Sequence, residues 1–355
     1  MIILAIDTSC DETAVAVTSN TEIISNCVWS QASLHASFGG VMPSLAQRQH
    51  EARIDWVINK AIKQSGTNIE NIDAIAVTIG NGLGIALGVG IIKAKELAIK
   101  YKKPLIPVSH VEAHLLSPFC IPNSGNNKIE KSIVFPTLGL VLSGGTTVLA
   151  LVRNIGEYEI LAETSDDALG EALDKGARLL GLGYPGGAIL EKFARDGDPK
   201  KYKLPLPLQN DKVKNRFSYS GLKTAFVRLF GSFKDPERLL SKDPTKQDIA
   251  DLAASFQSTA FDHIEKVLEY QIKHSGLSIN HLLFGGGVAN NVEIKKRLRK
   301  LCKKYNIKLL VPYTKKLNGD NAGMIGVCAY LKNGNKDLSK YFDYDSIDRN
   351  PRLKL

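Results

Sequence analysis

LAIDTSCDETAVAVT, residues 4–18, runs from an apolar segment through a short polar turn into a second apolar segment. The fold depends on whether this strand–turn–strand device is used once or twice. LGLVLSGGTTVLALV, residues 138–152, repeats it. A small polar or glycine-rich turn between two strands presents backbone N–H groups and hydroxyls, a chemistry suited to phosphate oxygens. Two such turns facing each other predict two similar lobes that hold a nucleotide between them.

A third glycine cluster supports that arrangement. HLLFGGGVANN, residues 281–291, reads as a buried strand ending in Gly285, Gly286 and Gly287, followed by an amphipathic helix. Glycines at a strand-to-helix junction let a nucleotide approach the backbone closely. Between the landmarks the chain alternates strand and helix. NIDAIAVTIG reads as a strand, Gly88 to Tyr101 as a helix, KPLIPVS as a strand, and DALGEALDKGARLLGL as a helix closed by a turn at Tyr184–Gly187. A last helix is expected from Asp320 to about Leu331, with Asp320 near its N-terminus, where an aspartate also serves as an ordinary cap. The polar run Pro122–Lys131 reads as a boundary. The expected domains are residues 1–121, residues 132–319, and a C-terminal helix and tail, 320–355, that packs back on the first lobe.

The 355 residues carry a formal charge of +10 and a pI near 9.2, which points to a polyanionic partner. Much of that charge lies in KKRLRKLCKKYNIK, where Ile294, Leu298 and Leu301 form an apolar stripe and Lys295, Lys296, Arg299, Lys303 and Lys304 fall on the other faces. Five scattered cysteines with no C-x-x-C spacing suggest neither disulfides nor a thiolate metal site. The uncharged stretch Ala74–Ile92 holds five glycines and Asn81, which favours strand, loop and helix start over a membrane span. The N-terminus lacks the basic flank and apolar length of a signal peptide, so a soluble cytoplasmic protein is expected.

HVEAH, residues 110–114, places two imidazoles on one face of a helix, able to reach a single cation if a third ligand comes from elsewhere. By itself such a pair is as readily a solvated helix face. With AIDTSCDET, GGVMPSLAQRQH, HVEAH, LSGGTT, DDALGEALDKGARLLGLGYPGG, FSYSGLKTAF, GGGVANN and GDNAGMIG in one order along the chain, the sequence resembles the bacterial branch of the TsaD family of tRNA threonylcarbamoyladenosine synthases.

The resemblance implies an α/β, two-lobed, actin-like or Hsp70-like fold and transfer of threonylcarbamoyl from threonylcarbamoyl-AMP to the exocyclic amine of adenosine 37 in tRNAs reading codons that begin with A. It implies one iron or zinc ion held by His110, His114 and Asp320. It implies donor contacts from the backbone of Val141, Leu142, Ser143, Gly144 and Gly145, ribose contacts at Asp174 and Glu191, a nucleoside contact at Gly187, and adenine near Asn291. A TsaB-like paralogue and a TsaE-like ATPase are the implied partners, with Gly39–His50 among the docking surfaces. Several residues depart from the pattern: Thr146 stands for a usual histidine, Asn81 for a proline, Ser44 for a glutamate, and Glu191 for an aspartate.

The adenine amine is a weak nucleophile, so an activated donor and positioning must carry the reaction. Asp11 and Glu12 in the first turn are the candidates for a general base. Three other functions compete. A metalloprotease of the H-E-x-x-H type needs a glutamate directly after the first histidine, where this chain has Val111. A sugar kinase or ATPase of the same fold generally uses magnesium and carboxylates and needs no imidazole pair. The third is a non-catalytic tRNA-binding scaffold.

Overall fold

The computed structural model describes residues 1–123, 133–234, 243–334 and 336–355. The described residues form two six-stranded sheets. The first contains β1 (Ile2–Asp7), β2 (Glu12–Ser19), β3 (Glu22–Ser30), β4 (Ala74–Gly80), β5 (Leu105–Ser109) and the short β6 (Ile121–Pro122). Their order is β5-β4-β1-β2-β3-β6, with β1, β2 and β3 antiparallel and β4 and β5 parallel to β1. Its helices are α1 (Ala32–His35), α2 (Pro43–Ser65), α3 (Gly84–Tyr101) and α4 (His110–Leu116).

The second sheet contains β7 (Thr137–Leu142), β8 (Thr147–Asn154), β9 (Glu157–Thr164), the short β10 (Arg216–Phe217), β11 (His281–Gly285) and β12 (Lys308–Leu310). Its helices are α5 (Leu169–Leu179), α6 (Gly186–Ala194), α7 (Ser220–Gly231), α8 (Lys246–His274) and α9 (Val292–Lys304). The order β10-β9-β8-β7-β11-β12 again has two hairpins followed by parallel β11 and β12. Without β6 and β10 the two sheets share one topology. The repeated hairpin read from the sequence is thus the start of each half, and the actin-like two-lobed architecture holds.

Period-two alternation assigns the strand residues to opposite layers. Leu4, Ile6, Val15 and Val17 pack with Ile54, Val57 and Leu87 of α2 and α3, whereas Ile3, Ala5, Ala14 and Ala16 face α10 (Ala322–Asn333). The small alanines let α10 lie close against β1 and β2, far along the chain from its own sequence neighbours. In the second lobe, one large core joins Leu138, Leu140 and Leu142 of β7 to Phe226, Phe256 and Phe261 of the covering helices. Helix α4 lies between the lobes: Ala113 and Leu116 join the first lobe's core, while Val111 and Leu115 pack on Val141, Val148 and Leu283 of the second sheet. All seven residues of α4 are buried.

The structure shifts several boundaries. The α3 helix begins at Gly84, ahead of Gly88, and α10 begins at Ala322 with Asn321 as its cap, so Asp320 is released from the capping role. Gly186 and Gly187 open α6, where a closing turn was expected. Most of the expected boundary Pro122–Lys131 lies outside the described residues. The five cysteines are free thiols. Among the described residues no helix is long and apolar enough to cross a membrane.

Candidate functional site

β5 delivers the chain directly into α4, whose first residue is His110; Ser109 caps the helix by accepting from the Glu112 N–H. His114 follows one turn later, with the two rings edge to face at 4.5 Å between centroids. Asp320, just ahead of α10, comes in from the other end of the chain. Its Oδ1 lies 3.2 Å from His114 Nε2 and 3.4 Å from His110 Nε2. One donor atom from each of the three residues falls within 4.8 Å of the others. Two imidazole nitrogens and one carboxylate oxygen are a donor set suited to a single first-row cation with positions left open for substrate.

The three groups are coupled electrostatically. Burial works to keep His110 neutral, but the carboxylates of Asp320 and Asp7 outweigh it and raise its pKa well above the ordinary histidine value. His114 is lowered, by burial and by its charged neighbour His110. Burial opposes ionisation of Asp320 too, and the two imidazoles hold its carboxyl well below the usual carboxylate range. His110 is 8% exposed and His114 1%, so these are buried groups, where the bland alternative was a solvated helix face.

Asp7 and Ser9, which the sequence did not single out, support α4 from behind. Asp7 Oδ2 lies 3.2 Å from His110 Nδ1, and Ser9 Oγ is also 3.2 Å from that nitrogen. Glu112 accepts from Tyr158 Oη at 2.8 Å and from Lys332 Nζ at 2.7 Å. It therefore faces away from the histidine pair and cannot serve a metal-bound water as a zincin glutamate does. A residue two after His110 falls about 200° round a helix, so the spacing alone turns Glu112 away from the pair, and the structure adds the partners it meets there.

The second turn closes on itself. Ser143 N donates to Thr146 O and Thr146 N to Ser143 Oγ, leaving Gly144 and Gly145 exposed at the tip and Val141 and Leu142 buried in β7. Gly286 has φ +94°, and a Cβ there would collide with Leu142 O. The third glycine cluster thus lies against the strand leading into the second turn. Asp174 accepts from Gly187 N at 2.7 Å, while the adjacent Lys175 bonds to Asp167 and Glu171. Burial raises the Asp174 carboxyl.

Glu191 Oε1 accepts from Val292 N and Arg195, and Asn291 caps α9 while donating to Gln257. Both side chains are engaged within the protein. In the first turn, Glu12 accepts from Ser30, and burial with the charges of Asp320 and Asp11 pushes its carboxyl up to about 9. Asp11 is 7% exposed.

The TsaD family model, described as tRNA N6-adenosine threonylcarbamoyltransferase, matches residues 22–327. The chain belongs to the TsaD family. It is 44% identical over 340 residues to the tRNA N6-adenosine threonylcarbamoyltransferase of Trichlorobacter lovleyi, covering 95% of this chain and 94% of that one. To the Thermosipho africanus enzyme of the same name it is 41% identical over 357 residues, covering 100% of each. Solved structures of the same fold include HypF from T. kodakarensis, with a TM-score of 0.58 at 15% identity over 93% of this chain and 48% of that one. Component A of the Acidaminococcus fermentans (R)-2-hydroxyglutaryl-CoA dehydratase gives a TM-score of 0.50 at 14% identity, covering 94% and 98%.

As a TsaD family member, the chain is a transferase that modifies tRNA to threonylcarbamoyladenosine. Its relatives lend no support to the protease or kinase alternatives. The buried His110, His114 and Asp320 group fits a single metal site. Two of the departures from the family pattern prove to be neighbours: Asn81 Nδ2 donates to Thr146 Oγ1 at 3.0 Å, joining the end of β4 to the tip of the second turn.

Proposed function

We propose that the chain carries threonylcarbamoyl from threonylcarbamoyl-AMP to N6 of adenosine 37, with the donor seated on an iron or zinc ion held by His110, His114 and Asp320. The observation that carries this reading is the convergence of the two Nε2 atoms on Asp320 Oδ1, with His114 and Asp320, 206 positions apart, brought together where the lobes meet. The bound cation would supply Lewis acidity and fix the orientation of the threonyl oxygens. Backbone donors of Gly144 and Gly145 at the exposed tip of the second turn would face the acyl-phosphate oxygens and stabilise charge that develops there, while Ser143 N, already given to Thr146 O, shapes the turn. Asp174, Gly187, Glu191 and Asn291 form the nucleoside side of the site.

N6 attacks the carbamoyl carbon, the bond from that carbon to the phosphate oxygen breaks, and AMP leaves with the electron pair. The proton lost from N6 is assigned to Asp11, because Glu12 accepts from Ser30 and burial pushes its carboxyl up to about 9. A TsaB-like paralogue, a TsaE-like ATPase and a cytoplasmic setting belong to the same reading, with the exposed Phe38, Met42 and Ser44 on the docking side. The test is reconstitution with tRNA, threonine, bicarbonate, ATP, an adenylate-forming enzyme and the accessory subunits, followed by digestion and mass detection of the modified nucleoside. His110→Ala and Asp320→Ala are expected to lower product by at least a hundredfold and to lose stoichiometric iron or zinc by elemental analysis. Full activity in either metal-free variant would overturn the metal role.

A further inference from the structure

We propose that Asp7 is a positioning residue for the metal centre, fixing His110 so that its Nε2 lone pair faces the cation. This rests on the metal reading above and extends it to a residue outside the ligand set. The structure makes the two histidines unequal. Both direct Nε2 toward Asp320. On the outer side, His110 Nδ1 bonds to Ser9 Oγ and lies 3.2 Å from Asp7 Oδ2, a buried carboxylate oxygen that has no hydrogen-bond partner of its own, whereas His114 Nδ1 is buried with neither a partner nor a carboxylate beside it.

An imidazole binds a cation through only one nitrogen, and the hydrogen bond made by the other selects the tautomer. An unpartnered carboxylate oxygen 3.2 Å from Nδ1 favours the proton on that nitrogen, which leaves Nε2 with its lone pair for the cation. His114 has no such partner and owes its orientation to packing within α4. Asp7 is built for the task. It is 1% exposed at the end of β1, and its other oxygen, Oδ1, accepts from Ser9 N at 3.0 Å, which fixes the carboxyl plane. Asp7 lies outside the converging group of His110, His114 and Asp320, so it acts through the ring.

The arrangement also gives the first turn a purpose that sequence alone did not suggest. Its leading aspartate and serine reach α4, the serine across 101 residues of chain, and tie the hairpin of the first lobe to the helix carrying the ligands.

The test is Co2+ binding to the purified full chain, measured by chelator competition and by visible absorption, with thermal melts as a folding control. Asp7→Ala is expected to weaken binding ten- to a hundredfold and to alter the ligand-field bands, with Asp7→Asn intermediate because it retains an acceptor oxygen without the charge. In a His110→Ala background, where the weaker site is titrated directly, Asp7→Ala should cost less than twofold more. In a His114→Ala background its full effect should remain. Should Asp7→Ala fail to fold, Asp7→Asn is taken through the same backgrounds.

Equal losses in all backgrounds would reduce Asp7 to general support of the fold and overturn the inference. Unchanged Co2+ affinity in the single variant would do the same. Absence of Co2+ binding by the unaltered chain would instead bring down the metal reading itself.

Discussion

At the scale of single residues, burial decides which ionisable groups matter. His263 on α8 is 1% exposed; it accepts from Ser218 N and lies edge-on to Phe217 and Tyr219. Burial, with help from the charge of Lys214, lowers its pKa from 6.5 to about 4, while Asp166 pulls weakly the other way. The folded protein therefore keeps the ring neutral where the unfolded chain protonates it. The unfolded state binds the extra proton between these two values, so stability present above pH 6.5 is lost as pH falls toward 4, by ~3 kcal/mol. In urea titrations, His263→Gln should shrink the gap between unfolding free energies at pH 7 and pH 4.5 by roughly that amount. An unchanged gap would show that the ring does not titrate this way.

At the scale of elements, α4 is the piece that both lobes grip. Its short length gives little intrinsic helix stability, so its position depends on packing and on the clamp at Glu112. Tyr158 from the second lobe and Lys332 from α10 hold that carboxylate from opposite lobes. Tyr158→Phe removes one donor from a buried acceptor and should cost about 1–3 kcal/mol of stability. A urea midpoint indistinguishable from the unaltered protein would remove the clamp from consideration. HVEAH disclosed a helix with two stacked imidazoles because i and i+4 are a local spacing. Their burial was not legible, since it depends on Val141, Val148 and Leu283 arriving from another sheet.

At the scale of the whole molecule, the net charge of +10 matters to a tRNA substrate. On α9 the apolar residues Ile294, Leu298 and Leu301 are buried as the helical stripe required, leaving Lys296, Arg299 and Lys303 exposed. Replacing these three by glutamine is expected to weaken tRNA binding most at low salt and to reduce the slope of log affinity against log salt by about 2–3. An unaltered slope would exclude α9 as a contact.

The sequence by itself determined the doubled hairpin, the strand and helix order, the imidazole pair and the basic face of α9. Each is written in spacings of two, three or four residues, which the backbone imposes locally. Only the tertiary structure decided that Asp320 leaves the cap of α10 to Asn321, that Glu112 is held by Tyr158 and Lys332, that Asp174 binds the Gly187 backbone, and that Asp7 stands behind His110. These contacts join residues from different lobes or different elements. Which of several suitable partners meet is set by how the two sheets pack around α4, and no local periodicity encodes that.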